Sequence, residues 1–156
     1  MSRHDPSSGM GADGIEVDVQ RTADGHLVLI HDAARAFMPA AVVAAVVDAV
    51  RGGAEAVIPV VPVTDTIREV DDAGSHVIDR ARLRGVQTPQ GFDRRTLIAS
   101  HAQAARQGVE ATDDAAVCET AGHATALVRG SRDALKVTEP FDLVIAETLV
   151  ARGKLS

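Results

Sequence analysis

Tryptophan and tyrosine are absent from this 156-residue chain, and its three phenylalanines stand at Phe37, Phe92 and Phe141. Single-strand nucleic-acid binding leans on aromatic stacking platforms, so the shortage argues against that class. A core must then be built from Val, Ile, Leu and Ala, which suits buried parallel strands with helices against them. Cysteine is scarce too. Cys118 stands alone, which excludes an intramolecular disulfide or a cysteine metal cage and fits a reducing cytoplasm. Positive charge is in deficit: 16 Lys and Arg against 22 Asp and Glu give a formal net charge of −6. That leaves no electrostatic case for DNA, RNA or an anionic membrane as partner. Long apolar runs are missing as well. The longest, Ala40 to Val47, is far too short to span a bilayer. The polar start, Arg3-His4-Asp5-Pro6-Ser7-Ser8-Gly9, has no apolar signal core, so a soluble cytoplasmic protein is expected.

What is present is ordinary globular composition, 46% hydrophobic and 24% charged, in a length that allows one domain with a real core. Residues 1–10 read as a loose tail. Ile15-Glu16-Val17-Asp18-Val19 alternates apolar and acidic, the pattern of a strand with its acids on one face. After the turn residues Thr22 to Gly25, Leu27 to Ile30 reads as a strand covered on both faces, with His31-Asp32 at its end. In open α/β sheets ligands bind at that edge. Pro39 opens a helix to about Arg51, stopped by Gly52-Gly53. Ala56 to Ile58 is a buried strand expected to end or bend at Pro59 and Pro62. Residues 64–70 and 75–78 form a hairpin around Asp71-Asp72-Ala73-Gly74, with weak alternation that takes it out of the main sheet. Gln87 to Gly91 reads as a loop. Helices follow over 93–107, ended by Gly108, and from Thr112 or Asp113 to Gly122, with strands at 124–128 and 135–137 and a last helix from Glu139-Pro140 to near Gly153. Strands alternating with helices predict a three-layer α/β sandwich.

Six segments then carry a resemblance. His31-Asp32-Ala33-Ala34-Arg35, Thr64-Asp65-Thr66-Ile67, Asp79-Arg80, Gln87-Thr88-Pro89-Gln90-Gly91-Phe92, Ala111-Thr112-Asp113-Asp114-Ala115 and Lys136-Val137-Thr138 occur in that order. In order and spacing, residues 26–153 resemble the C-terminal part of 2-C-methyl-D-erythritol 4-phosphate cytidylyltransferases, a family of the non-mevalonate isoprenoid pathway. The resemblance implies a Rossmann-like fold, incomplete on its N-terminal side, with a protruding hairpin arm at about 64–80. It implies CTP and methylerythritol phosphate as substrates and Mg²⁺ or another divalent cation as cofactor. Lys136 and Asp32 would be catalytic, with Asp32 also near the metal, since hard Mg²⁺ prefers oxygen ligands. Arg35, Thr88 and Thr112 would bind or order substrate. Thr66 and Arg80 would reach the partner's sugar phosphate across a homodimer formed through the arm.

Two departures from the family stand out: the hairpin between Gly74 and Asp79 is about two residues shorter than the family's, which bears on the placement of Arg80, and the N-terminal segment differs. The family begins with a strand and a Gly-rich, basic loop that wraps the CTP phosphates, and nothing in residues 1–25 matches it. An inactive fragment that keeps the sugar-phosphate side and the arm is the alternative this raises. Residues 11–32, with Glu16, Asp18 and His31, instead resemble a metal-dependent glycerophosphodiester phosphodiesterase, though the other barrel units of that family are missing. A fused or mis-assembled reading frame would give such a junction. Taken without these resemblances, Glu16 and Asp18 read as a solvated strand face and His31 as a structural strand-end residue. Arg80, Arg82 and Arg84 read as one side of an extended segment, Thr112-Asp113 as a helix cap, and Cys118 as a small core residue.

Overall fold

The computed structural model describes residues 17–21, by their backbone, and residues 26–153. Glu16, the tail and the Thr22–Gly25 turn lie outside the described residues. The chain runs β1 (Val17–Arg21), β2 (Leu27–Asp32), α1 (Ala40–Arg51), β3 (Ala56–Pro62), β4 (Ile67–Asp71), β5 (Gly74–Ile78), β6 (Arg84–Val86), β7 (Gln90–Asp93), α2 (Arg94–Gln107), α3 (Asp114–Thr120), β8 (Thr125–Arg129) and α4 (Pro140–Ala151).

Among the described residues, six strands make one mixed sheet and β4–β5 make a separate hairpin. β3 is central: β8 runs parallel along one side of it, and β7 and β6 follow each other antiparallel along the other. β2 pairs antiparallel with β7. The expectation of parallel strands therefore holds for β3 and β8, while the other ladders are antiparallel. β1 lies antiparallel on the outer side of β2, Val17 opposite Asp32 and Arg21 opposite Val28, and so covers an edge that would otherwise offer unpaired backbone.

Helices cover both faces, as the alternation of apolar residues requires. Val28, Ile58 and Phe92 point into a cluster with Leu97 of α2 and Ala115 and Cys118 of α3. Gly91, on the opposite face, lies under α1: a Cβ there would run into Val46 Cγ1, with Val50 Cγ2 at 3.2 Å and Leu29 Cδ2 at 3.3 Å. This glycine serves close packing rather than a turn. Cys118 is fully buried, and burial pushes its thiol up from the usual value.

Four local expectations need correction. β3 passes straight through Pro59, which is fully buried. Between the pairs Val57–Gly91 and Val60–Val86, β3 spends two residues and the facing chain four, 87 to 90. The ladder is already interrupted where Pro59 lacks its N–H, and the Pro59 carbonyl still accepts from the Gln87 amide at 2.8 Å. The same four residues end in β7, so Gln90–Asp93 is a sheet strand and not loop; its polar Gln90 and side-chain-free Gly91 hid it. Residues 135–137 are irregular, and Arg80–Arg82 is a turn of 3₁₀ helix, so those arginines do not line one side of an extended segment.

Helix ends follow their sequence signals. Asp93 caps α2 by accepting from the Arg95 and Thr96 amides, and Gly108 closes it in the left-handed conformation at φ 64°. Asp113 caps α3. Before α4, Asp142 accepts from the amides of Thr138 and Glu139. α4 itself has no buried residue, and Phe141, Leu143 and Val144 are exposed on it.

Candidate active site

The C-terminal end of β2 is extended by a side chain. The register that pairs Ile30 with Gln90 would next bring Thr88 opposite Asp32, and there Thr88 Oγ1 accepts from the Asp32 amide at 2.9 Å. The same oxygen lies 3.0 Å from His31 Nδ1. The peptide bond between Thr88 and Pro89 is cis.

Beyond β2 the chain turns, with the Arg35 amide on the Asp32 carbonyl at 2.9 Å, and Arg35 comes back over the strand end. Its Nη1 donates to the Ala134 carbonyl at 2.9 Å and its Nη2 to the Val86 carbonyl at 3.3 Å. Its Nε is buried without a hydrogen-bond acceptor and faces Asp32 Oδ2 at 3.5 Å, an ion pair rather than a good hydrogen bond. Burial pulls the guanidinium down from its ordinary value, and the Asp32 carboxylate opposes that pull. Arginine remains charged at any physiological pH.

Lys136 reaches the site from the far end of the chain. Its Nζ is 3.2 Å from Asp32 Oδ2. The approach is fixed by backbone, since the Val137 amide donates to the Ala34 carbonyl at 2.8 Å. It is also fixed by Gln87, a buried glutamine that grips the loop after β8. Gln87 Nε2 donates to the Ser131 carbonyl at 2.7 Å, and its Oε1 accepts from the Ser131 amide at 3.0 Å. Gln90, equally buried, donates to Asp113 Oδ2 at 2.7 Å and accepts from the Ala115 amide at 3.1 Å, which ties β7 to the start of α3.

Of the seven residues singled out by sequence, Asp32, Arg35, Thr88 and Lys136 come together at this strand end. Thr112 is exposed in the loop before α3, and no hydrogen bond joins it to that group among the described residues. Thr66 and Arg80 sit at the base of the hairpin, where Arg80 Nη1 donates to the Thr64 carbonyl. Gln87 and Gln90 are the supports that sequence reading missed. Both stood inside a quoted motif, but nothing local distinguishes a buried glutamine from a loop glutamine.

For a metal, the donor set is thin. No group of three His, Cys, Asp or Glu residues able to hold an ion exists among the described residues. Asp32 offers one carboxylate, and its Oδ2 already faces two cations. That fits only an ion carried in by a polyphosphate, completed by phosphate oxygens and water rather than by a protein cage.

The architecture is a mixed α/β nucleotidyltransferase fold with a detached hairpin, its charged cluster at a strand's C-terminal end. It superposes on the crystal structure of 2-C-methyl-D-erythritol 4-phosphate cytidylyltransferase from Thermus thermophilus with a TM-score of 0.74 and 44% identity, covering 80% of this chain and 62% of that one. The family model for 2-C-methyl-D-erythritol 4-phosphate cytidylyltransferase matches residues 12–152. The chain belongs to that family. It is 47% identical over 138 residues to the Streptomyces coelicolor cytidylyltransferase, covering 83% of this chain and 50% of that protein. To the Saccharopolyspora erythraea cytidylyltransferase it is 52% identical over 130 residues, covering 82% and 57%. The chain thus spans about half the length of the curated relatives it matches. Because the family match begins at residue 12, it takes in most of the stretch that resembles a phosphodiesterase, and none of the comparisons supports that resemblance.

Proposed function

We propose that the chain serves cytidylyl transfer from CTP to 2-C-methyl-D-erythritol 4-phosphate, with the Asp32–Lys136 pair at the reacting centre. A sugar-phosphate oxygen attacks the α-phosphorus, and the bond from that phosphorus to the bridging oxygen breaks, releasing pyrophosphate. Such a transfer needs in-line positioning and cations where charge develops. The observation that carries the reading is the Lys136 ammonium beside Asp32, fixed from both sides by backbone and Gln87. One ammonium proton directed to Asp32 leaves two for phosphate oxygens. In this reading Asp32 accepts from the diol hydroxyls, and Thr88 and Thr112 address the sugar phosphate. Arg35, whose Nη1 and Nη2 are engaged with backbone carbonyls and whose Nε faces Asp32, keeps Asp32 and the 134–136 segment in place. Asp32 is the residue that would lend a carboxylate oxygen to a Mg²⁺ ion bound on the triphosphate, which would offset the triphosphate's negative charge.

Thr66 and Arg80 act from the hairpin arm on the sugar phosphate of a second copy, which makes the working form a homodimer. A second reading keeps the sugar-phosphate site and the arm but not the nucleotide site. It takes only what the described residues bring together, the Asp32, Arg35, Thr88 and Lys136 cluster and the hairpin. Calorimetric titration separates the two. Binding of both CTP with Mg²⁺ and methylerythritol phosphate supports transfer. Sugar-phosphate binding without CTP binding leaves the second reading, and binding of neither contradicts both.

A further inference from the structure

The Thr88 hydroxyl is shared in a way that the proposed chemistry does not account for. Its oxygen has two lone pairs and one proton. One lone pair is taken by the Asp32 amide at 2.9 Å, and His31 Nδ1 stands at 3.0 Å. Two arrangements follow. If Nδ1 is bare, Thr88 donates its proton to His31, and what remains for a ligand is a lone pair. If Nδ1 carries a proton, His31 donates to Thr88, both lone pairs are filled, and the hydroxyl proton has to point elsewhere.

A phosphate presents acceptors, so only the second arrangement gives it a hydrogen bond from Thr88. We propose that His31 is a positioning residue that sets the direction of the Thr88 hydroxyl: with Nδ1 protonated, Thr88 becomes a donor to the sugar phosphate. The inference rests on Thr88 facing that ligand, as in the proposed function. His31 is well held for this task. It sits in β2, one residue before Asp32, at the border of a cavity of about 330 Å³ also lined by Leu29, Arg35, Met38, Val43 and Pro89. Arg35 is the charged group of that lining, and Asp32 is the neighbouring acid. Among the described residues the ring has no second hydrogen bond to protein, so its other nitrogen does not dictate the tautomer.

The role is read from ring-nitrogen NMR at constant pH. Of the six histidines, His31 is identified by the resonances that vanish in His31→Asn. Addition of methylerythritol phosphate is expected to bring the ring to the tautomer that carries its proton on Nδ1. Thr88→Val, which removes the donor and leaves His31 in place, is expected to weaken binding about tenfold, the scale of one hydrogen bond to a charged group. Binding equal to wild type in that variant overturns the inference. Saturable binding with Nδ1 left bare overturns the inference while leaving the function intact. If no sugar phosphate binds, the proposed function fails, and the inference is judged in the free chain. There Thr88→Val must shift His31 Nδ1, and an unmoved resonance overturns it.

Discussion

Asp32 and Lys136 lie 104 positions apart in sequence, yet their side chains meet at 3.2 Å because Val137 donates its amide to Ala34. One strand end and one irregular loop are thereby stitched into a single charged site. Removing the cation should affect reaction more than binding, because it is placed where charge develops. Lys136→Ala is expected to lower turnover about 100- to 1000-fold, the size of losing one preorganised charge donor. Initial rates over a range of sugar-phosphate concentrations check this. A change in KM with kcat preserved would assign Lys136 to ground-state binding instead.

Gln87 is expected to act on the same site from behind. Gln87→Ala removes two hydrogen bonds from the half-buried amide and carbonyl of Ser131, at a cost of about 1 kcal/mol each. Denaturant unfolding should register that loss. Turnover should also fall, since the loop that carries Lys136 is no longer gripped. An unaltered rate in the destabilised variant would separate the loop from the chemistry.

Gly91→Ala tests the packing of α1 on the sheet. The new methyl meets Val46, itself fully buried, with Val50 and Leu29 close behind. Overpacking of this kind costs about 1–3 kcal/mol. A thermal midpoint lowered by several degrees is the expected result. A midpoint equal to wild type would mean that α1 shifts freely.

The sign of one pH effect follows from the α4 cap. The amides of Thr138 and Glu139, with the Thr138 hydroxyl adding to them, hold the Asp142 carboxyl below its usual range. A depressed acid favours the folded helix fully above the unfolded value, about 3.9, and loses that contribution as pH falls through the lower folded one. Hydrogen exchange in the first turn of α4 should therefore be slow and level from pH 7 to about 5, after correction for intrinsic rates. Protection should fall below about pH 4. Asp142→Asn should remove that acid-induced step.

The helices were legible because their punctuation is local. Pro39, Asp93, Gly108, Asp113 and Pro140 each mark an end by the chemistry of one residue. The hairpin was legible for the same reason, its turn written in Asp71 to Gly74. β7 was not, because what makes Gln90-Gly91-Phe92 a strand is non-local: α1 overhead and β2 and β3 on either side. The path of β3 through Pro59 was hidden likewise, since the tolerance lies in the facing chain. At the site, Asp32, Arg35, Thr88 and Lys136 were found through a family pattern and not through spacing. The supports Gln87 and Gln90 became visible only as distances.

Pyrophosphate release from the purified chain, supplied with CTP, Mg²⁺ and methylerythritol phosphate, tests the central claim most directly. Release that depends on both substrates and collapses in Lys136→Ala is the predicted result. Folded protein that binds the sugar phosphate and releases no pyrophosphate would contradict transfer by this chain.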